Sequence, residues 1–369
     1  AAFPQEPIIG AQVLSAFIVS LDVVHGRIQL THTGPDVIAL ADAPPPGGAP
    51  PPAPIGPDTL FARLTHALDS LSVADRFSGV VEIAKAGAPV YRRAYGAADQ
   101  AERRANTVNT AFNVGSINKI FTNIAIHQLV AAGKMSFDST VGAYWPEYPN
   151  AEVAKQVTLR ELVDMRSGLG GDVFGAPPGK RPSDLRTLRD FLPLFVNVPL
   201  LFKPGTKQRY CNPGYVLLGL LIERVTGQSY YDYVRQHIYQ PAGMTGTAHY
   251  AVDSLPASAA IGYTTSNGDG ADSPARHPNS ALLPGRGSSA GGGYSTAGDL
   301  ARFVEALRER RIADAPGPGI GIAGGTGGVN ATVDGDLPGG YDLVVLSNLD
   351  PPAAERVARM VRGWLGAGE

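Results

Sequence analysis

The chain has 369 residues, 44 % of them hydrophobic and 17 % charged, which is enough for one large or two modest globular domains. A formal net charge of −2 gives no electrostatic reason to expect nucleic acid or an anionic membrane as partner. No run of about 18 apolar residues suits a transmembrane helix, and the single cysteine, Cys211, excludes an internal disulfide and a cysteine-only zinc site.

Cysteine usage alone is compatible with cytoplasm or periplasm. The first residue is Ala rather than Met, so the reading expects a removed upstream segment, and a signal peptide there favours the periplasm or secretion. In residues 1–42, Phe17 to Asp22 and Arg27 to Leu30 read as two short strands around a His25-Gly26 turn, with Ile8-Ile9-Gly10 and Val13-Leu14 ahead of them. This stretch resembles the last part of a retroviral-type aspartyl protease domain. That family's Asp-Thr/Ser-Gly motif is absent, so no activity is carried over, and an ordinary β-hairpin arm is the competing reading. Residues 43–57, APPPGGAPPPAPIGP, form an extended Pro/Gly linker.

A globular domain is expected from 58 to 369. Thr59 to Leu71 has helical spacing, and Ser78–Ala84 and Val90–Gly96 read as strands around an Ala86-Gly87-Ala88 turn. The stretch Ala111 to Lys134 follows. Ile117, Ile120, Phe121, Ile124 and Leu129 recur at helical spacing, Gly133 is a stop, and Ser116 falls in the first turn. Ser116 and Lys119 are three residues apart, which on a helix puts them on one face. The positive end of the helix dipole favours developing negative charge there. Tyr144 to Pro149 is an aromatic loop, and Thr158 with Glu161 suits a capping box ahead of a helix to Met165. Residues 167–182 read as loop, Pro213 to Thr226 as a hydrophobic helix, with another starting near Ser229. Residues 245–295 read mostly as loop, and Asp299 to Arg310 as an amphipathic helix. Gly328–Val333 and Asp342–Ser347 read as an antiparallel pair, and Val357 to Leu365 as a closing helix. The simplest fold closes one sheet from the two chain ends and packs a helical insertion against it.

Three stretches carry chemistry. The first is Ser116-Ile117-Asn118-Lys119. The second is Tyr210-Cys211-Asn212: in an extended segment Tyr210 and Asn212 face one way and Cys211 the other. A tyrosine is a good base once a neighbouring ammonium lowers its pKa, and Lys119 can supply that ammonium. Lys119 itself is a poor base at its ordinary pKa. The third is the run Ile322-Ala323-Gly324-Gly325-Thr326-Gly327-Gly328, where glycine lets a ligand approach the backbone and the Gly325 amide can join that of Ser116 around an oxyanion. Gly287-Ser288-Ser289-Ala290-Gly291 matches the G-x-S-x-G pattern, but no strand precedes it and all seven histidines come earlier in the chain, so it is set aside. There is no HExxH, no cysteine pair and no P-loop, so neither a metal nor a nucleotide cofactor is expected.

Taken together, S-x-x-K, a downstream Tyr-x-Asn and a glycine-rich strand resemble the three-part signature of serine β-lactamases and penicillin-binding proteins. The wording of FNVGSINKIFT, FKPGTKQRYCNPGYVLLG, PAGM and AGGGYSTAGDLARF is similar to the class C-type branch, which includes family VIII carboxylesterases. The resemblance covers about residues 58–369. It implies an α+β, β-lactamase/transpeptidase-like fold: an antiparallel sheet (about 58–112 and 290–369) flanked by helices, plus a helical insertion domain (about 113–289). It implies Ser116 as nucleophile, Lys119 beside it, Tyr210 as base, Asn212 next to them, and oxyanion amides at Ser116 and Gly325. Three departures follow. Ile322-Ala323-Gly324 stands where lactamases have Lys-Thr-Gly, so the group that would hold a β-lactam carboxylate is missing. The stretch before Gly321 is short, so a strand usual in the family is expected to be lost. Leu162 to Leu169 reads LVDMRSGL, where Arg166 is either a replacement anion contact or an ordinary solvated arginine. The resulting expectation is a serine hydrolase that cleaves carboxylic esters through an acyl-enzyme on Ser116, with a small-molecule ester or amide as its partner. The alternatives are a β-lactamase or D-peptide hydrolase using Arg166 or Arg286, and a non-catalytic binder.

Overall fold

A computed structural model describes residues 17–22, 27–32, 56–268 and 272–366. Strands β1 (Phe17–Asp22) and β2 (Arg27–His32) form an antiparallel hairpin, Phe17 opposite His32 and Asp22 opposite Arg27. The His25-Gly26 turn, the segments upstream of Phe17 and the Pro/Gly linker up to residue 55 lie outside the described residues.

Beyond the linker, helix α1 (Pro57–Val73) leads to β3 (Gly79–Lys85) and β4 (Ala88–Tyr95). Ala86 and Gly87 both take positive φ between them, the twist a two-residue hairpin needs. The chain then enters α2 (Asn118–Ala131), and later α3 (Asn212–Thr226) and α4 (Ala297–Arg308). It closes with β5 (Gly321–Thr326), β6 (Val329–Leu337), β7 (Tyr341–Ser347) and α5 (Ala353–Leu365). The sheet is antiparallel throughout, in the order β5-β6-β7-β3-β4. Strands from the two ends of the domain therefore meet at the β7–β3 pair, with Val345 opposite Val81 and Leu346 opposite Val80.

Alternate residues of these central strands enter different cores, the period-2 rule of a pleated sheet. Val80, Ala331, Val333, Val344 and Leu346 face the core that holds α2, α3 and α4. Val81, Ile83, Leu343 and Val345 face a smaller core against α1 and α5. Both faces are covered, which is why Val80-Val81 in β3 and Leu343 to Leu346 in β7 are apolar at consecutive positions.

Two elements differ from the sequence reading. The glycine run does not merely open the late pair. It forms a complete edge strand, β5, paired along Gly321–Thr326 with Asp334–Val329, so three late strands join the sheet instead of two. Glycine has poor strand propensity, and β6 supplies the pairing. A hairpin of Tyr263–Ser266 with Asp272–Pro278 also lies inside what reads as loop. Between α4 and Gly321 there is no strand. The predicted capping box is present: Thr158 Oγ1 accepts from the Glu161 N–H, and the Glu161 carboxylate accepts from the Thr158 N–H. No helix among the described residues is long and apolar enough to cross a membrane.

Candidate active site

Ser116 sits in a single tight turn, Gly115–Ile117, immediately ahead of α2. Gly115 enters it at φ 50°, with its N–H held by the Asn113 side-chain oxygen at 2.9 Å. The turn places the Ser116 amide at the helix start, where N–H groups have no intrahelical partner. Edge strand β5 packs directly on it. A Cβ built on Gly324 would lie 2.3 Å from the Val114 oxygen and 2.6 Å from the Ser116 nitrogen, so only glycine allows this approach. Thr326 pairs with Val329 across the Gly327-Gly328 turn. In such a hairpin the flanking pair is hydrogen-bonded, so the next residue, Gly325, turns its N–H away from β6. It lies beside the Ser116 turn: a Cβ on Gly115 would sit 3.0 Å from the Gly325 nitrogen. Ile322 shares a face with Gly324 and packs against the main core.

Ser116, Lys119, Tyr210 and Asn212 converge. Ser116 Oγ is 2.5 Å from the Tyr210 hydroxyl and 3.0 Å from Lys119 Nζ. Lys119 Nζ also reaches Asn212 Oδ1 at 2.8 Å and the Ala290 carbonyl at 2.5 Å. The amine lies over the Tyr210 ring, 4.7 Å from its centroid. Cys211 is buried between the two facing residues, and its sulfur accepts from the Gly214 N–H at 3.3 Å, capping α3.

The electrostatics run opposite to the sequence expectation. Lys119 is 7 % exposed, and burial penalises its charged form, lowering its pKa to about 7. Burial of the Tyr210 hydroxyl raises that pKa to about 12, against the lowering influence of the Ser116 hydrogen bond. The tyrosine as a whole is 47 % exposed, so water at its outer edge moderates the rise. Near pH 7 the amine is therefore divided between its free and protonated forms, and the phenol beside it keeps its proton. The unfolded chain binds a proton at Lys119 up to about pH 10.4, whereas the folded chain releases it near 7. Stability is therefore expected to rise with pH between those values. Urea midpoints at pH 6.5 and 9.5 test this: the rise should be larger in the wild type than in Lys119→Met, and equal rises would refute it.

The site opens into a cleft of about 520 Å³, walled by Val173, Phe174, Phe191, Leu282 and Leu283, with Ser116 and Asn212 in its lining. Ser266 to Gly268, from the hairpin missed in the sequence, also line it. Among the described residues of the lining, none carries a charge. Both arginines offered as carboxylate holders point elsewhere. Arg166 donates to the Gly205 carbonyl. Arg286 donates to the His249 carbonyl at 2.9 Å and stacks 3.6 Å over the Tyr231 ring. Ser289 is fully buried and donates to the Tyr215 carbonyl at 2.8 Å, so the G-x-S-x-G match presents no exposed nucleophile. The Ala290 carbonyl was not anticipated; a main-chain oxygen leaves no residue-type signal.

Gly324→Ala tests the close approach of β5. The added methyl must displace the Ser116 amide, and a misplacement of about 1 Å can cost about 10²-fold in rate. The expected result is a kcat loss of that order with an unchanged circular dichroism spectrum; unimpaired kcat would contradict it.

Residues 64–345 match the beta-lactamase family model. Esterase EstB of Burkholderia gladioli is 30 % identical over 283 residues, covering 68 % of this chain and 70 % of the esterase. Penicillin-binding protein 4* of Bacillus subtilis is 30 % identical over 190 residues, which cover 51 % of this chain and 41 % of that protein. Two further penicillin-binding relatives are covered over 56 % and 51 % of their lengths, so the chain spans about half of these proteins. Among solved structures, a penicillin-binding protein from Bacillus halodurans superposes with a TM-score of 0.68 at 30 % identity, over 79 % of this chain and 98 % of that one. The D-amino acid amidase of Ochrobactrum anthropi gives a TM-score of 0.69 at 25 % identity, over 84 % and 98 %. With the five-stranded sheet, the serine turn and this match over most of its globular part, the chain belongs to the beta-lactamase family.

Proposed function

We propose that the chain is a serine hydrolase that cleaves uncharged carboxylic esters through an acyl-enzyme on Ser116. The observation that carries this reading is a serine hydroxyl within hydrogen-bond reach of both a buried amine and a phenol, at a cleft whose described lining bears no charge. Ester cleavage at a relative named an esterase supports it. A carboxylate-bearing lactam would meet no cation in that lining, which disfavours the β-lactamase alternative.

The proton balance follows from the two pKa values. In acylation, Ser116 Oγ gives its proton to the free amine of Lys119 and attacks the ester carbonyl. The Ser116 and Gly325 N–H groups hold the oxyanion. Tyr210 then donates its proton to the departing alkoxide, leaving a phenolate beside the new ammonium. In deacylation that phenolate takes a proton from water, the resulting hydroxide attacks the acyl-enzyme, and Lys119 returns its proton to Ser116 Oγ. The sum is ester plus water giving acid plus alcohol, with every group restored.

The test compares p-nitrophenyl butyrate with nitrocefin. Faster turnover of the ester, and an acyl adduct on Ser116 by mass spectrometry, is the expected result. Preferential turnover of nitrocefin would transfer the assignment to the lactamase reading, and no adduct with either would leave a binder.

A further inference from the structure

The G-x-S-x-G stretch set aside as a nucleophile has a different place in the molecule. A neutral lysine amine has two hydrogens and one lone pair. Lys119 Nζ faces three oxygens: Asn212 Oδ1 at 2.8 Å, the Ala290 carbonyl at 2.5 Å and Ser116 Oγ at 3.0 Å. The amide oxygen and the carbonyl can only accept, so they take both hydrogens. The lone pair is then left directed at the hydroxyl, which is the one of the three able to donate. The orientation of the base is thus set by where Ala290 is held.

That carbonyl belongs to a segment bound from several sides. Thr122 Oγ1, one turn along α2 from Lys119 and fully buried, donates to the Ser289 carbonyl at 2.7 Å. Its single hydrogen is used there, so the Tyr230 hydroxyl at 2.8 Å donates to Thr122. Ser289 Oγ donates to the Tyr215 carbonyl on α3 at 2.8 Å. Asn118 Oδ1 accepts from the Gly293 N–H at 2.9 Å, and its amide donates to His249 Nε2 at 2.8 Å. The partners are dry: Thr122, Asn118, Ser289 and Tyr230 are all 0 % exposed. A buried network of this kind has little slack, because each lost partner leaves a group that water cannot satisfy.

We propose that Thr122 and Ser289 are positioning residues, which clamp residues 288–293 so that the Ala290 carbonyl aims the lone pair of Lys119 at Ser116. The inference rests on the reading of Ser116 as nucleophile and Lys119 as its base. The other titratable groups around the amine are Tyr210 and Tyr215, whose rings lie 4.7 and 5.6 Å away, and Cys211; burial raises the pKa of each, so all are neutral at pH 7.

The test uses Thr122→Val, Thr122→Ser and Ser289→Ala in the full chain, with p-nitrophenyl butyrate and a fluorophosphonate label. Thr122→Val keeps the shape and removes the donor. It should lower kcat about 10- to 100-fold, with KM within about twofold. The rising limb of the pH profile should move to lower pH, because the ammonium loses an acceptor. Thr122→Ser, which restores the hydroxyl, should recover most of kcat. Ser289→Ala should show the same pattern as Thr122→Val and carries the comparison if that variant is insoluble. Unchanged kcat and pH profile in both variants would overturn the proposal, as would a loss that Thr122→Ser fails to recover. Absence of label on Ser116 in the wild type would sink the hydrolase reading and this one with it; a labelled wild type with unaffected variants would sink this one alone.

Discussion

Replacing Ser116 with Ala is expected to lower kcat/KM for p-nitrophenyl butyrate by at least about 10⁴-fold, with the fold retained. The size follows from what the residue does in the proposed scheme: no other described group in the cleft is placed against both Lys119 and Tyr210. Loss of a nucleophile that acts as one unit with its base costs nearly as much as losing the whole set, about 10⁶-fold in a serine protease, with a residual about 10³–10⁴ over water from binding and oxyanion contacts. The side chain is small and only half-buried at the cleft, so its truncation leaves no large cavity. Stopped-flow or plate assays of ester turnover, with circular dichroism on the same samples, give the answer. A variant with more than a tenth of wild-type activity would remove Ser116 from the chemistry.

Substituting Lys119 with Met should be the second-largest effect, a loss of about 10²–10⁴-fold in kcat, the range for removing a positioned acid–base group. The pH dependence makes the assignment specific. In the wild type, kcat/KM should rise about tenfold per unit below pH 7 and level off above it, because the free amine is the active form and burial has brought its pKa to about 7. An ordinary lysine would place that limb above pH 10. The limb should vanish in the Met variant. A wild-type profile flat from pH 5 to 8 would show that Lys119 keeps a fixed charge through the reaction.

Much of the site was legible because its spacings are local. Ser116 lies in the turn that leads into the helix of Lys119, and Tyr210 and Asn212 flank the extended Cys211 at the start of α3, so two short-range spacings were enough to bring each pair together. The sign of the pKa shifts was not legible. Burial of Lys119 comes from helices and loops far along the chain, and desolvation outweighed the ion pairing that the sequence suggested. Ala290 was missed since its contribution is a backbone oxygen. The G-x-S-x-G match beside it was set aside as a nucleophile, and its serine, Ser289, turns its hydroxyl inward to the Tyr215 carbonyl. The Tyr263–Ser266 hairpin was missed because its residues are polar on both sides, although Asn267-Gly268 is a hairpin dipeptide that could have been weighed. Strand β5 was read short because glycine carries no propensity signal; its pairing with β6 was needed to see it.

The order of strands in the sheet has a consequence for biosynthesis. Strand β3 emerges early with only β4 as neighbour, and its other edge waits for β7, near the end of the chain. The Ser116 turn likewise lacks its Gly325 wall and Lys119 its Ala290 acceptor until the last third has been made. A ribosome releasing this polypeptide from its amino end thus presents Ser116, Lys119 and Tyr210 before the Gly325 amide and the Ala290 carbonyl exist, so the proposed site is completed only late in synthesis.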